Sequence, residues 1–499
     1  MSPPAALPAV ALGGAVLAYA LALAAWRQGR PGLAAVLVVA GGLGLRLYAS
    51  CDDYLHAWDE RYHALVARNL LAHPLRPTLY DQPLLPDDYR NWLESGVWLH
   101  KPPLVLWLMA LAMAGLGVGE LTLRVPSLVL SAAATYATYR IGLAFRGHGV
   151  GLVAAFLHST NAFLVLLAAG WFATDHVDTG LVSFVTLAVA AGVAGRPRPA
   201  SFAAVGLLSG MAVLSKGLPG LLALPVVCLW HAREVTPARL LRLGGMGLVA
   251  CLAVAGPWWL YTSAAFPAEA AWERAYDLRH LTEPLEGHRG SVLYHAARMP
   301  KIFGELVYLP LLFWLVRLAR GPRDPKALAL TAWILAPYLV FSLAVSKMPA
   351  YVMVAAPAVF LVVAAFCAWL LEQRGGGTER RWLVALGLAA MLVAPVRILL
   401  NDLRLFREHE RRPAWVVELE QLEQRLAGER AVILGSPRPI ETMFYTSHVA
   451  YAGVPDRPTV ESLQKRGYRV LVYESDALPA DRRGWPDVEY LRPAPAPPP

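Results

Sequence analysis

Runs of apolar residues recur along this chain, and polar residues are mostly confined to short joints between them. About 20 helical residues cross a ~30 Å hydrocarbon core. Membrane spans are therefore expected near 5–26, 32–50, 103–118, 126–145, 149–170, 178–195, 200–216, 218–231, 243–260, 301–318, 327–345, 351–371 and 382–400. Residues 51–103 interrupt the pattern. This stretch carries eight acidic residues (Asp52, Asp53, Asp59, Glu60, Asp81, Asp87, Asp88 and Glu94) and ends in Lys101-Pro102-Pro103. Charges held between spans mark sites more often than packing, so 51–103 reads as an external catalytic loop.

Beyond residue 400 the pattern changes. Residues 412–428 have helical spacing with charges, and 431–435, 448–453 and 468–475 read as short strands with helices between them. That alternation predicts a small α/β domain with a parallel sheet. The fold class is thus an all-α polytopic membrane protein of about 13 spans, with a transmembrane catalytic domain over 1–400 and a small α/β domain over 401–499. The tail PAPAPPP reads as disordered or extended.

Composition agrees with a membrane protein: 57% hydrophobic and 16% charged residues, against roughly 25% charged in soluble domains. The net charge of +9 does not point to nucleic acid, because the basic residues fall in short loops. The joints RGHG, RPR, HAREVTPARLLR, VRLARGPRDPK and EQRGGGTERR hold 13 Arg/Lys against 4 Asp/Glu, which assigns them to the cytoplasm. The 51–103 loop, ATDHVD (173–178), LSKG (214–217), residues 261–300, SKMPAY (346–351) and everything after 400 then share the outer face. One parity problem follows. Residues 103–147 must cross an odd number of times yet contain two apolar runs, so one run is re-entrant or a boundary lies elsewhere. The four cysteines are scattered and form neither a metal spacing nor a disulfide framework. The first ten residues lack a basic n-region, so the start reads as a span, not a cleaved signal.

Each polar motif has a plain reading and a chemical one. In AWDERYHALVARN (57–69), Asp59 and Glu60 stand where a helix begins, and Asp59 is either its N-cap or a proton-accepting carboxylate. His63 follows one turn later. Lys101, before Pro102 and Pro103 at a helix start, is either a snorkelling anchor or an anion ligand. Glu120 and Arg124 are expected to pair with each other at helical spacing. Asp175, His176 and Asp178 are expected to be hydrogen-bonded capping groups, although His with carboxylates can bind metal. Lys216 lies in the Gly/Pro-broken LSKGLPG, and broken helices are tolerated where they line a cavity. Lys347 and Tyr351 in SKMPAY, and Arg279 and His280 in the long later loop, add polar groups on the same face. Together these cations describe an anion-binding vestibule.

D-E in the first large loop, K-P-P-L at its end, R-x-P-S after the next run, L-S-K-G in mid-chain and K-M-P-A-Y before a late span resemble the GT-C glycosyltransferases. The similarity is to their bacterial branch of protein O-mannosyltransferases and lipid A aminoarabinose transferases, and it runs in order over most of 50–370. The resemblance implies a membrane glycosyltransferase that takes a sugar from a polyprenyl-phosphate donor. It implies transfer, with inversion, to a lipid, glycan or protein acceptor on the outer face of a bacterial inner membrane, with no nucleic-acid partner. It implies Asp59 and Glu60 as catalytic residues and Lys101, Arg279 and Tyr351 at the lipid phosphate, with Asp175 as a second acidic residue; Lys216, Lys347 and His63 complete the substrate-binding set. The aminoarabinose branch has Glu before K-P-P, where it helps bind a divalent metal. This chain has His100, which with His280 is the candidate metal ligand. A lipid-linked sugar transporter or flippase, and an O-antigen ligase-type enzyme, are the alternatives. The dominant external loop and the lack of an internal repeat argue against a transporter.

Overall fold

The computed structural model describes residues 6–322, 324–373, 378–405, 409–475 and 478–492; the proline-rich tail lies outside them. Among the described residues nine helices are long and apolar enough to cross a membrane, or up to eleven if each of two bent pairs is one span. They follow the apolar runs closely. Most of the ends follow from local sequence. Proline occupies the first turn of the helices Pro31–Ala49, Pro199–Lys216, Pro237–Ala265 and Pro325–Leu343, where its missing N–H costs nothing. The run over 149–170 is bent by 56° at Asn161. There the Asn161 side chain caps the second segment at Leu164 N (3.0 Å) and donates to the Ile302 carbonyl (2.7 Å). A second bent pair, Tyr294–Phe303 and Tyr308–Arg320, turns by 114°.

The parity problem has a structural answer. The apolar helix Leu104–Leu116 has 13 residues, which rise about 20 Å. Both of its ends stay on one face of the bundle. Lys101, just before it, meets Asp59, and Glu120, four residues after it, accepts from the Tyr445 hydroxyl of the C-terminal region (2.5 Å). Trp107 within it donates to the Pro74 carbonyl of the loop (2.7 Å). Only the 27-residue helix Glu120–Arg146 crosses between the loop and residue 147. The two faces of the bundle then separate as the loop charges require. Asp59, Asp178 and Lys216 line a cavity at one end, and Arg140, Arg196, Glu234 and Lys326 line another at the opposite end.

The helix Asp175–Val193 is the axis of the bundle; 83% of its apolar window is buried. It carries acidic residues only in its first turn, which places charge at the site end and leaves the rest apolar.

After the last span the chain forms a four-stranded, all-parallel sheet in the order β2-β1-β3-β4. The strands are β1 (Ala431–Leu434), β2 (Val449–Ala450), β3 (Arg469–Tyr473) and β4 (Glu489–Leu491). The first three stand where the apolar strings predict them. Strand β4, with none of its residues fully buried, carries no comparable apolar signal. This region shares one core with the loop: Tyr62, Leu65 and Trp98 pack in the same cluster as Leu419, Val432 and Leu471.

Candidate active site

The loop's polarity is resolved into two adjacent environments by one short helix, Asp59–Asn69. Trp58 precedes it with φ of 74°, and Thr174 precedes the Asp175–Val193 helix with φ of 62°. Positive φ is rare for bulky or β-branched residues and persists where the surroundings impose it, often at functional sites. The two turns are tied together, because the Thr174 N–H donates to Asp59 Oδ2 (3.2 Å). Asp59 is therefore not the helix's N-cap: it lies inside the first turn, no side chain caps that end, and its carboxylate faces away.

It faces a cavity of about 660 Å³. Lys101 Nζ stands 3.2 Å from Asp59 Oδ2 and over the ring of Trp92. Lys216 is delivered to the same cavity by the end of its helix. Gly217, with φ of 73°, stops the helix and starts a 3₁₀ turn at Leu218, so the broken segment lines the cavity as its glycine and proline suggest. The Lys216 ammonium pairs with Asp178 and lies over the ring of Tyr351. The polar end is completed by His100, Asp277, His280 and Glu286, and the other walls are apolar, among them Leu221, Leu281, Val340 and Phe341.

Burial opposes the charge on Asp59, but Lys101, His63 and Lys216 outweigh it and hold the carboxyl below its ordinary range. Burial likewise opposes the charge on Lys101, which Asp59, Glu286 and Asp277 hold above its usual range. Glu273, half-buried beside His100, is pushed up to about 8 by burial and by Asp277. His100 and His280 are both pushed down, chiefly by burial and secondly for His100 by Lys101.

Glu60 is different. It is fully buried and does not line the cavity. Arg124 grips it with both prongs, Nε to Oε1 at 2.7 Å and Nη2 to Oε2 at 2.9 Å. His176 Nε2 lies 3.2 Å from Oε1, and the His56 N–H donates to Oε2 at 2.6 Å. Burial opposes ionisation here too, yet Arg124, His56 and His176 hold the carboxyl well below its ordinary value. Arg124 also donates to the carbonyls of Ser50, Asp52 and Tyr54. The expected Glu120–Arg124 pair does not form: Arg124 points into the bundle towards Glu60, and Glu120 takes Tyr445 instead. Gly170, with φ of 85°, makes room for this node, since a Cβ there would collide with the Glu60 carboxylate.

The remaining predicted residues divide. Tyr351, His100 and His280 line the cavity with Asp59, Lys101 and Lys216. His63 and Asp175 pair behind it, Nδ1 to Oδ1 at 2.9 Å, both with no exposed surface. Lys347 turns away and donates to the carbonyls of Phe341, Ser342 and Ala344 at the end of the preceding helix. Arg279 is outside the cavity, about half exposed (48%) and paired with Glu283 one turn on at 2.7 Å. The local partner captures it. His100 Nδ1 faces Glu273 (3.2 Å) and His280 Nδ1 faces the Tyr276 carbonyl (3.3 Å). Among the described residues no three His, Cys, Asp or Glu side chains are grouped to hold a metal ion.

Sequence reading missed Arg124 as a site residue, along with His56, Asp178 and Glu273. Asp52, His56 and Glu60 recur at intervals of four, which was a usable signal: His56 bridges the other two, with Nε2 3.1 Å from Asp52 and Nδ1 2.8 Å from Glu60.

Comparison with known proteins adds to this geometry. Residues 100–261 match the family described as dolichyl-phosphate-mannose-protein mannosyltransferase. A relative from Pseudomonas fluorescens (strain Pf0-1), named undecaprenyl phosphate-alpha-4-amino-4-deoxy-L-arabinose arabinosyl transferase 1, is 28% identical over 57% of this chain. A protein of the same kind from Pseudomonas savastanoi pv. phaseolicola is 26% identical over 67% of this chain and 67% of its own. The chain spans about half (52%) of the P. fluorescens protein. Among solved structures, ArnT from Cupriavidus metallidurans bound to undecaprenyl phosphate aligns with TM-score 0.60 at 18% identity, over 87% of this chain and 89% of that one. The Archaeoglobus fulgidus oligosaccharyltransferase aligns with TM-score 0.60 at 14% identity, over 84% of this chain and 64% of that one. In fold this multi-span membrane protein is similar to both of these solved structures, and in sequence it is similar to the mannosyltransferase family over residues 100–261 and to the arabinosyl transferases of Pseudomonas.

Proposed function

We propose that this chain is an integral-membrane glycosyltransferase that moves a sugar from a polyprenyl-phosphate donor to an envelope acceptor, with inversion. The observation that carries this reading is the Asp59–Lys101 pair at the polar end of a cavity whose other walls are apolar. An apolar wall suits an isoprenoid tail, and two lysines with Tyr351 suit its phosphate. The names of the relatives, which specify undecaprenyl phosphate and dolichyl phosphate, support the same donor class.

Lys101 and Lys216 flank the donor phosphate and stabilise the charge that grows on its oxygen as the anomeric carbon–oxygen bond breaks. The acceptor oxygen attacks that carbon from the opposite side. Asp59, kept ionised by its neighbours, takes the proton of a hydroxyl acceptor; an acceptor phosphate needs no base, and Asp59 then orients it. Glu60 does not touch substrate. With Arg124 it fixes the helix from which Asp59 projects. The face bearing the cavity is the periplasmic side of an inner membrane, because the basic loops lie at the other end. The membrane bundle up to about residue 400 carries the site, and the α/β region beyond it braces the loop.

Purified protein given a radiolabelled polyprenyl-phosphate sugar and envelope lipid or glycan extract is expected to transfer label. The Asp59→Asn variant is expected to lose transfer by about 10²–10⁴-fold, the usual worth of a general base, with unaltered folding. Equal transfer by wild type and variant would remove Asp59 from the reaction.

A further inference from the structure

A second cavity lies at the far end of the bundle, about 25 Å from the first by the rise of the Asp175–Val193 helix. Its volume is about 430 Å³, and it gathers the ends of four helices. Arg140 comes from the last turns of Glu120–Arg146, Arg196 from the joint after Val193, Trp230 from the end of the helix Ala223–Trp230, and Lys326 from the first turn of Pro325–Leu343. No step of the sugar transfer uses it.

Its electrostatics are one-sided. Three cations line it against one carboxylate, Glu234, and that carboxylate already faces His231 Nδ1 at 3.1 Å. Lys326 is positioned from two sides: its ammonium lies over the Trp230 ring and donates to the Ala144 carbonyl (3.3 Å). Arg140 and Arg196 are exposed, and neither has an ion pair among the described residues. Small residues, Ala144, Ala194 and Gly195, form part of the lining. The cavity stands where the spans end, at headgroup depth, on the face that carries the basic loops. Guanidinium groups bind phosphate oxygens in a two-pronged geometry, and basic pockets between spans on that face select anionic headgroups.

We propose that this cavity is a binding site for the headgroup phosphate of an anionic phospholipid, held by Arg140 and Arg196 with Lys326 beside them. A lipid seated there links four helix ends and stabilises the bundle from the face opposite the cavity that holds Asp59. The proposal is independent of the transfer reaction.

The test uses purified, delipidated full chain and reads the thermal midpoint and the lipid adducts in native mass spectrometry as phosphatidylglycerol is added. Phosphatidylcholine and sodium phosphate are the separate arms. The expected result is a midpoint that rises with phosphatidylglycerol, with retained adducts, and with little response in either other arm. The Arg140→Gln/Arg196→Gln variant is expected to bind about 25-fold more weakly, from about fivefold per arginine near an anionic surface, while its midpoint in phosphatidylcholine matches wild type. The single variants, each about fivefold weaker, answer the question if the double variant fails to fold. Undiminished phosphatidylglycerol adducts in the variants, or an equal response to phosphatidylcholine, would overturn the site. The same shift from sodium phosphate alone would overturn the lipid as its ligand.

Discussion

The cavity wall and the buried node behind it are one residue apart in the chain. Consecutive residues of a helix point about 100° apart, and that rotation sends Asp59 into the cavity and Glu60 into the bundle. Among the described residues Asp59 has one ion-pair partner, Lys101, at the rim of open space. Glu60 has no exposure, and Arg124, His56 and His176 are all directed at it. In the proposed reaction the two carboxylates therefore have different roles: Asp59, at the cavity, meets substrate, and Glu60, enclosed by its partners, holds the helix in place.

If that contrast is right, stability and activity separate between the two positions. The largest effect on stability is expected from Glu60→Gln. It leaves the buried Arg124 guanidinium without its counter-charge, a loss of about 3–5 kcal/mol, seen as low yield and a lowered thermal midpoint. Asp59→Asn, at the cavity, is expected to leave the midpoint nearly unchanged. A Glu60→Gln protein as stable as wild type would break the comparison.

A smaller, pH-dependent effect is expected at Glu273. Unfolded, it titrates near its ordinary 4.5; folded, near 8. Between these values the folded chain holds a proton that the unfolded chain has lost. Its stabilising contribution is therefore complete below about 4.5, declines as pH rises, and is gone above about 8. Gln keeps a neutral group facing His100 at every pH. The midpoint of Glu273→Gln relative to wild type should climb from pH 5 to pH 8 and then level off, and a flat difference would show that Glu273 is not held protonated. The smallest effect is expected at Arg279. Its exposed pair with Glu283 is screened by solvent and adds little, so Arg279→Ala should leave the thermal midpoint unchanged and alter the KM for the donor by no more than about twofold.

The span pattern was legible because apolar length alone carries it, and the polar segments it set apart, among them Asp59, Asp178 and Lys216, meet at one end of the bundle. Asp59, Lys101, Lys216 and Tyr351 were legible because each stands beside a break in that pattern: a loop's helix start, a Pro-Pro pair, or a Gly/Pro kink. Arg124 was not. Its local spacing offers Glu120 as a partner, and only the tertiary fold shows that Glu60, far away in sequence, lies nearer. Arg279 differs for the opposite reason. It stands in a polar loop near the cavity, but it pairs with Glu283 one turn away and lies outside the cavity lining. Leu104–Leu116 is as apolar as a span, and only contacts at both of its ends show that it never crosses.

The most direct measurement is a structure of this protein with polyprenyl phosphate bound. The account predicts the phosphate within hydrogen-bonding distance of Lys101 and Lys216, the isoprenoid chain along the Leu281 and Val340 wall, and Asp59 facing the open space beside the phosphate. A phosphate held at Arg279, or one from which Asp59 is screened while Glu60 is exposed, would contradict it.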